Sequence, residues 1–101
     1  MDTIVAGIDF SKSSLTALKV SIDVAARANA DLHIVWVETV EMDYDKAEEK
    51  LKEYVDKAKE KLNDSDVYYH ILPKGKVYAT LNKAIKEFDA DLLVIGTHGN
   101  S

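Results

Sequence analysis

The sequence has 101 residues, of which 47% are hydrophobic and 31% are charged, so it suits one small globular domain and excludes a disordered chain. Its 13 Lys and Arg against 18 Asp and Glu give a formal net charge of -5, which disfavours nonspecific binding of nucleic acid. No Cys is present, so disulfides, thiolate metal sites and cysteine nucleophiles are excluded.

The sequence shows no sign of a membrane span or a secretory leader. Uninterrupted apolar stretches such as residues 92–96 are far shorter than the roughly 20 residues that a span needs. Asp2 stands where a secretory signal carries basic residues, and the absence of Cys fits a reducing compartment. We therefore expect a cytoplasmic protein with no membrane partner.

The first third of the chain predicts a strand, a helix and a second strand. Residues 4–8 are a continuous apolar run rich in β-branched residues, typical of a parallel strand buried on both faces. Ser11 and Ser13 are candidate N-caps of a helix that runs to about Ala28, and Asn29 can close this helix in a left-handed conformation. A second strand follows at residues 32–37.

The remaining sequence predicts two more helix and strand pairs. Alternating charge around a narrow apolar stripe indicates a long helix over about residues 45–62 with a solvated outer face. A third strand at 67–72, an amphipathic helix at 77–88 and a fourth strand at 92–95 complete the order β-α-β-α-β-α-β. Right-handed crossovers make this an α/β domain with an open, doubly wound parallel sheet.

Four residues are predicted to meet at one edge of this sheet. Ligands of such sheets bind outside the carboxyl ends of the strands, where the strand order reverses. Asp9 follows the first strand, Val37 ends the second, and Gly96 and Gly99 follow the fourth. Glycines there let backbone amides approach an anion. The prediction requires the first and fourth strands to be neighbours.

Each candidate side chain also has a simpler interpretation. Asp9 orients a ligand or acts with Ser11 as a cap and turn former. His98, inside the glycine loop, contacts phosphate or is merely solvated. His33 and His70 lie on different predicted strands without metal-ligand spacing, so we expect structural roles for both and no zinc site.

Several segments resemble the universal stress protein family. They are residues 8–11, the Ala-Asp-Leu step at 30–32, the Gly-x-Val step at 75–77 and residues 90–99. The resemblance runs from residue 4 to the end of the sequence. It implies an adenine-nucleotide alpha-hydrolase-like, Rossmann-like domain over residues 1–101, in a family that divides into ATP-binding and non-binding groups.

The resemblance also implies roles for individual residues. In ATP-binding members, the aspartate after the first strand and the backbone at the end of the second strand contribute to the nucleotide pocket, which corresponds to Asp9 and Val37. The loop of Gly96, His98 and Gly99 matches the one that surrounds ribose and phosphates. The family pattern continues about nine residues further on with Gly-Ser or Gly-Thr.

That continuation, a fourth helix and the fifth strand are not in this sequence, which stops at Ser101. Either the sequence is part of a longer protein or it is a natural truncation. We favour the first, because the fourth strand would otherwise expose an apolar edge.

The sequence therefore predicts a stress-response module that binds ATP, with Mg²⁺ as a possible companion, and that works as a homodimer or beside a tandem second domain. The alternative is a scaffold of the same fold that binds no nucleotide. No Walker lysine and no evident general base are present, so any ATP hydrolysis is expected to be weak.

Overall fold

The computed structural model describes residues 2–40, 42–62, 66–75 and 77–96, which form four strands and three helices. In chain order these are β1 (Thr3–Ile8), α1 (Lys12–Ala28), β2 (Asp31–Val37), α2 (Tyr44–Lys61), β3 (Val67–Leu72), α3 (Val77–Phe88) and β4 (Leu92–Ile95). The predicted order is confirmed, and the bounds agree to within a residue or so.

The described strands form one parallel sheet in the order β3-β2-β1-β4. The chain first winds outward from β1 to β2 and β3, and α3 then carries it back so that β4 pairs with the other side of β1. Gly7 of β1 lies opposite Ile95 of β4. The predicted adjacency of the first and fourth strands is therefore confirmed, and the strand order reverses between them.

The helices cover both faces of the sheet, so the predicted doubly wound architecture is confirmed. Helices α1 and α2 pack on one face, over alternate strand residues that include Ile4, Ile34 and Trp36. Helix α3 packs on the opposite face, where Val35 contributes to a smaller core. Because β1 and β2 are buried on both faces, their sequences are continuous apolar runs instead of alternating ones.

The helix ends follow the predicted capping chemistry. Ser11, and not Ser13, is the N-cap of α1, and its side chain accepts a hydrogen bond from the backbone N–H of Ser14. Asp43 caps α2 in the same way, and Asn29 ends α1 in the predicted left-handed conformation, with φ of 55°.

The same four-residue junction leads from helix to strand twice. Residues 29–32 and 89–92 each begin with a left-handed residue and continue with Ala-Asp-Leu into a strand. The Asp91 carboxylate accepts hydrogen bonds from the N–H groups of Asp2 (2.8 Å) and Thr3 (3.1 Å), which lower the pKa of Asp91. Asp31 likewise accepts from the Asp66 N–H at 2.9 Å. These carboxylates tie the amino ends of neighbouring strands together.

None of the helices in the described ranges combines the length and the hydropathy that crossing a bilayer requires.

Two histidines form a hydrogen-bonded pair between the sheet and α3. Nδ1 of His33 on β2 lies 2.8 Å from Nε2 of His70 on β3, and both rings stack on Phe88, with centroid distances of 4.7 and 4.4 Å. One nitrogen of the pair must carry the shared proton and the other must accept it, so the bond is lost when both rings are protonated. The predicted structural role fits this arrangement.

Protonation of this pair is expected to destabilise the fold. Burial lowers the pKa of His33, although the negative charge of Asp31 acts in the opposite direction. Burial, together with the neighbouring His33, also lowers the pKa of His70. The unfolded chain, whose histidines keep a pKa near 6.5, therefore takes up protons at a higher pH than the folded chain. The contribution of the pair to stability is fully present above about pH 6.5 and is lost as the pH falls below that value.

Urea unfolding between about pH 7.5 and pH 5 measures this loss. The double variant H33Q/H70Q should show a flatter pH dependence than the wild type, because its amides pair without titrating. H98Q, which changes the remaining histidine, serves as the control. Equal slopes in the wild type and H33Q/H70Q would contradict the assignment.

Candidate functional site

The carboxyl ends of β1, β2 and β4 form the edge at which Asp9, Val37 and Gly96 lie. Asp9 comes directly after β1, and Gly96 comes directly after β4. Because Gly7 and Ile95 are paired, Asp9 and Gly96 leave neighbouring strands at nearly the same level. The structure thus brings Asp9 and Gly96 together at the reversal of strand order, while His98 and Gly99 lie outside the described residues.

The turn after β1 is built by side-chain hydrogen bonds. Oδ1 of Asp9 accepts a hydrogen bond from the N–H of Ser11 at 2.9 Å, which is the Asx turn considered as the simpler role of Asp9. The N–H of Asp9 donates to Oγ of the buried Ser14, which in turn donates to the carbonyl oxygen of Ser11. The Asp9 residue remains exposed. A turn-forming carboxylate is therefore also accessible to a ligand.

The ring of Phe10 packs against β2 and α2. Its backbone is left-handed, with φ of 66°, and its ring lies 5.7 Å from Trp36 and 6.2 Å from Tyr54 between centroids. Lys50 Nζ lies 5.6 Å above the same ring. Sequence reasoning did not find this cluster, because Tyr54 and Lys50 belong to an α2 pattern that carries no signal for contact with the β1 turn.

Gly96 packs closely against the backbone of α1. A Cβ at residue 96 would overlap the carbonyl oxygen of Ser13 and lie 2.6 Å from Cα of Ser14. Absence of a side chain therefore lets the end of β4 rest directly on the first turn of α1. This is a packing role for Gly96 that holds whether or not an anion binds nearby.

The amino end of α1 gives this edge a positive character. The first turn of α1 contains no acidic residue, and it begins with Lys12. Helix N-termini present backbone N–H groups and the positive end of the helix dipole, which stabilises negative charge within about one turn. Because Gly96 contacts that turn, the segment that follows β4 begins next to a position that favours an anion.

Val37 offers its backbone to the same edge while its side chain is buried. The side chain packs in the smaller core under α3. In the strand register Val37 pairs with Leu72 of β3, whereas the pairing of β1 with β2 ends at Ile8 and Trp36. Val37 thus extends β2 beyond its ladder with β1. The side chain of Trp36 is almost fully buried on the opposite face of the sheet.

The carboxyl end of β3 lies beside a separate cleft. Lys74 follows this strand end and lines the cleft, which has a volume of about 300 Å³ and lies between β3 and α3. Strands β3 and β4 are the outermost strands of the described sheet. The end of β3 therefore lies three strand spacings, or about 14 Å, from the end of β4. Within the described residues, no three His, Asp or Glu side chains are grouped to hold a metal ion.

The structure is an open, doubly wound α/β domain, a class in which ligands occupy the point where the strand order reverses. The model of the universal stress protein family matches residues 1–101. The chain belongs to the universal stress protein family.

Solved structures of related proteins agree. Protein Rv1636 from Mycobacterium tuberculosis H37Rv superposes with a TM-score of 0.80 and 28% identity, over 99% of this chain and 74% of that one. A universal stress protein in complex with cAMP superposes with a TM-score of 0.78 and 27% identity, over 99% of this chain and 79% of that one. The universal stress protein from Archaeoglobus fulgidus superposes with a TM-score of 0.76 over 100% of this chain and 79% of that one. At 20% identity this similarity shows the fold alone. No curated protein sequence matches the chain.

The two tightly packed glycines should differ in their tolerance of a methyl group. G96A should lower the free energy of unfolding by about 2 to 3 kcal/mol, because the new Cβ meets backbone that cannot move aside. G7A should cost less, about 1 to 2 kcal/mol, because the nearest atoms to its Cβ are side-chain methyl groups, Cγ2 of Ile95 at 2.9 Å and Cδ1 of Leu81 at 3.1 Å. Urea denaturation of both variants measures the difference, and equal losses would contradict the contact.

Proposed function

We propose that this chain is a universal stress-type module that binds an adenine nucleotide, ATP with Mg²⁺, at the edge formed by Asp9, Val37, Gly96, His98 and Gly99. The observation that carries the proposal is the meeting of Asp9, Gly96 and the amino end of α1 at the reversal of strand order. The related structure with bound cAMP supports an adenine nucleotide as the ligand class.

Each residue has a distinct role in this proposal. The backbone of Val37 hydrogen-bonds the adenine edge, and Asp9 interacts with the ribose or with Mg²⁺. Gly96, Gly99 and His98 surround the phosphates, next to the dipole of α1. Mg²⁺ usually binds through one or two carboxylates together with substrate phosphates, so a single Asp9 carboxylate suits an ion that arrives with the nucleotide.

The wider role proposed is signalling in the stress response, with nucleotide occupancy as the signal. The site offers no evident general base, so we propose a binding protein in which hydrolysis is at most slow. Residues 1–101 are proposed to act as one such domain in the cytoplasm. Single-turnover phosphate release that exceeds background by orders of magnitude would contradict the binding-only role.

Asp9 should contribute its charge to binding without being needed for the fold. D9N keeps an oxygen that can accept the Ser11 N–H, so the turn should survive and unfolding should shift by less than about 0.5 kcal/mol. Calorimetry should show Mg-ATP binding weakened about tenfold, or about 1.4 kcal/mol. D23N, an exposed position on α1, is the matched control. Unchanged affinity in a folded D9N protein would remove Asp9 from the site.

The glycine loop is tested separately. G99L should weaken Mg-ATP at least about tenfold, because a bulky side chain keeps the backbone amides away from phosphate. Parallel titrations with GTP and with cAMP test how strongly binding depends on the base and on the phosphates, respectively. Flat titrations with ATP and cAMP on the complete, folded protein would refute the proposal, and equal affinity for GTP would refute adenine recognition.

One observation favours a scaffold role as the second candidate. Strand β4 is an edge of the described sheet, and Leu92–Ile95 are all only half-buried. Such an edge can pair with a strand of a second copy. Sedimentation would then show a stable homodimer that is indifferent to ATP, whereas association that depends on nucleotide supports the first candidate.

A further inference from the structure

We propose that the groove between α1 and α2 binds a small anionic amphiphile, a carboxylate with an unbranched hydrocarbon tail. The groove shares no lining residue with the proposed nucleotide site. Its cavity volume is about 450 Å³, which is within the range of small-molecule sites.

The floor of the groove is apolar. Leu15, Leu18 and Ile22 of α1 face Tyr54 of α2 across it. Leu18 and Ile22 are buried, whereas Leu15 and Tyr54 are only half-buried and leave apolar surface in contact with solvent. A hydrocarbon that fills the groove would remove this surface from water.

The length of the groove suits a single hydrocarbon chain. The lining residues run from Leu15 to Ile22 on α1 and from Tyr54 to Lys61 on α2, which is seven residue steps or about 10 Å on each helix. An extended tail of about eight to ten carbons has about the same length.

The rim supplies the recognition of an anion. Lys19 of α1 and Lys57 and Lys61 of α2 line the groove together with one acid, Glu60. Lysine stems lie along apolar surface while their ammonium groups stay in water, which places positive charge around an apolar floor. This surplus stands out in a chain of net charge -5.

The test uses sodium decanoate, below its critical micelle concentration, and uncharged decanol on the complete chain. Saturable decanoate binding is expected in calorimetry, at least about fivefold tighter than decanol because only decanoate meets the rim charges. Amide chemical shifts should change around Leu15, Ile22 and Tyr54. Equal affinity for the two probes, or shifts scattered over the surface, would overturn the proposal.

A matched pair of charge reversals localises the site. K57E/K61E should weaken decanoate about fivefold or more and leave decanol unchanged, because it reverses two rim charges. K52E/K59E makes the same change of net charge on the same helix at exposed positions outside the groove, and it should change decanoate affinity less than twofold. Equal weakening by both pairs would overturn the assignment, since it would indicate an effect of net charge alone.

The nucleotide proposal and the groove proposal can be tested independently of each other. Saturating Mg-ATP should leave decanoate affinity unchanged, because the groove residues and the strand ends are different sets. Displacement of decanoate by ATP would overturn a separate site in the groove. D9N should bind decanoate like the wild type, so a loss of decanoate binding in that variant would also overturn it.

Discussion

The contact between the end of β4 and the first turn of α1 determines the geometry of the candidate site. It exists because residue 96 has no side chain to hold the two backbones apart. It fixes where the chain leaves the sheet, next to the amino end of a helix with no acidic residue in its first turn. The same helix turn carries Ser14, which holds the N–H of Asp9. One short segment of α1 therefore positions both sides of the edge.

The opposite end of the sheet makes this arrangement possible. Asp91 holds the starts of β1 and β4 together, and Asp31 does the same for β2 and β3, through backbone hydrogen bonds of about 3 Å. Because parallel strands that start in register also progress in register, Asp9 and Gly96 reach the carboxyl edge at nearly the same level. Residues far from the candidate site thus contribute to it by setting strand register.

The sequence predicted the elements well because their signals are local. Continuous apolar runs indicated β1, β2 and β4, and Ser11 and Asn29 indicated the ends of α1. The adjacency of β1 and β4 was a requirement of the site prediction, with no local signal of its own, and the structure confirms it. The contacts of Phe10, the His33–His70 pair and the overlap at Gly96 did not follow, because each joins side chains or backbone from distant segments. Such contacts depend on tertiary packing, for which one sequence carries no periodic signal.

Phe10 shows how the domain maintains a strained turn beside its candidate site. A left-handed backbone costs a non-glycine residue roughly 1 to 2 kcal/mol. Aromatic contacts with Trp36 and Tyr54 contribute about 0.5 to 1.5 kcal/mol each, and the Lys50 cation adds about 0.5 to 1 kcal/mol, so packing outweighs the strain. The ring is then held on the α2 side of the turn. The polar groups of the turn meanwhile form the hydrogen bonds among Asp9, Ser11 and Ser14, and Asp9 stays exposed beside the end of β4.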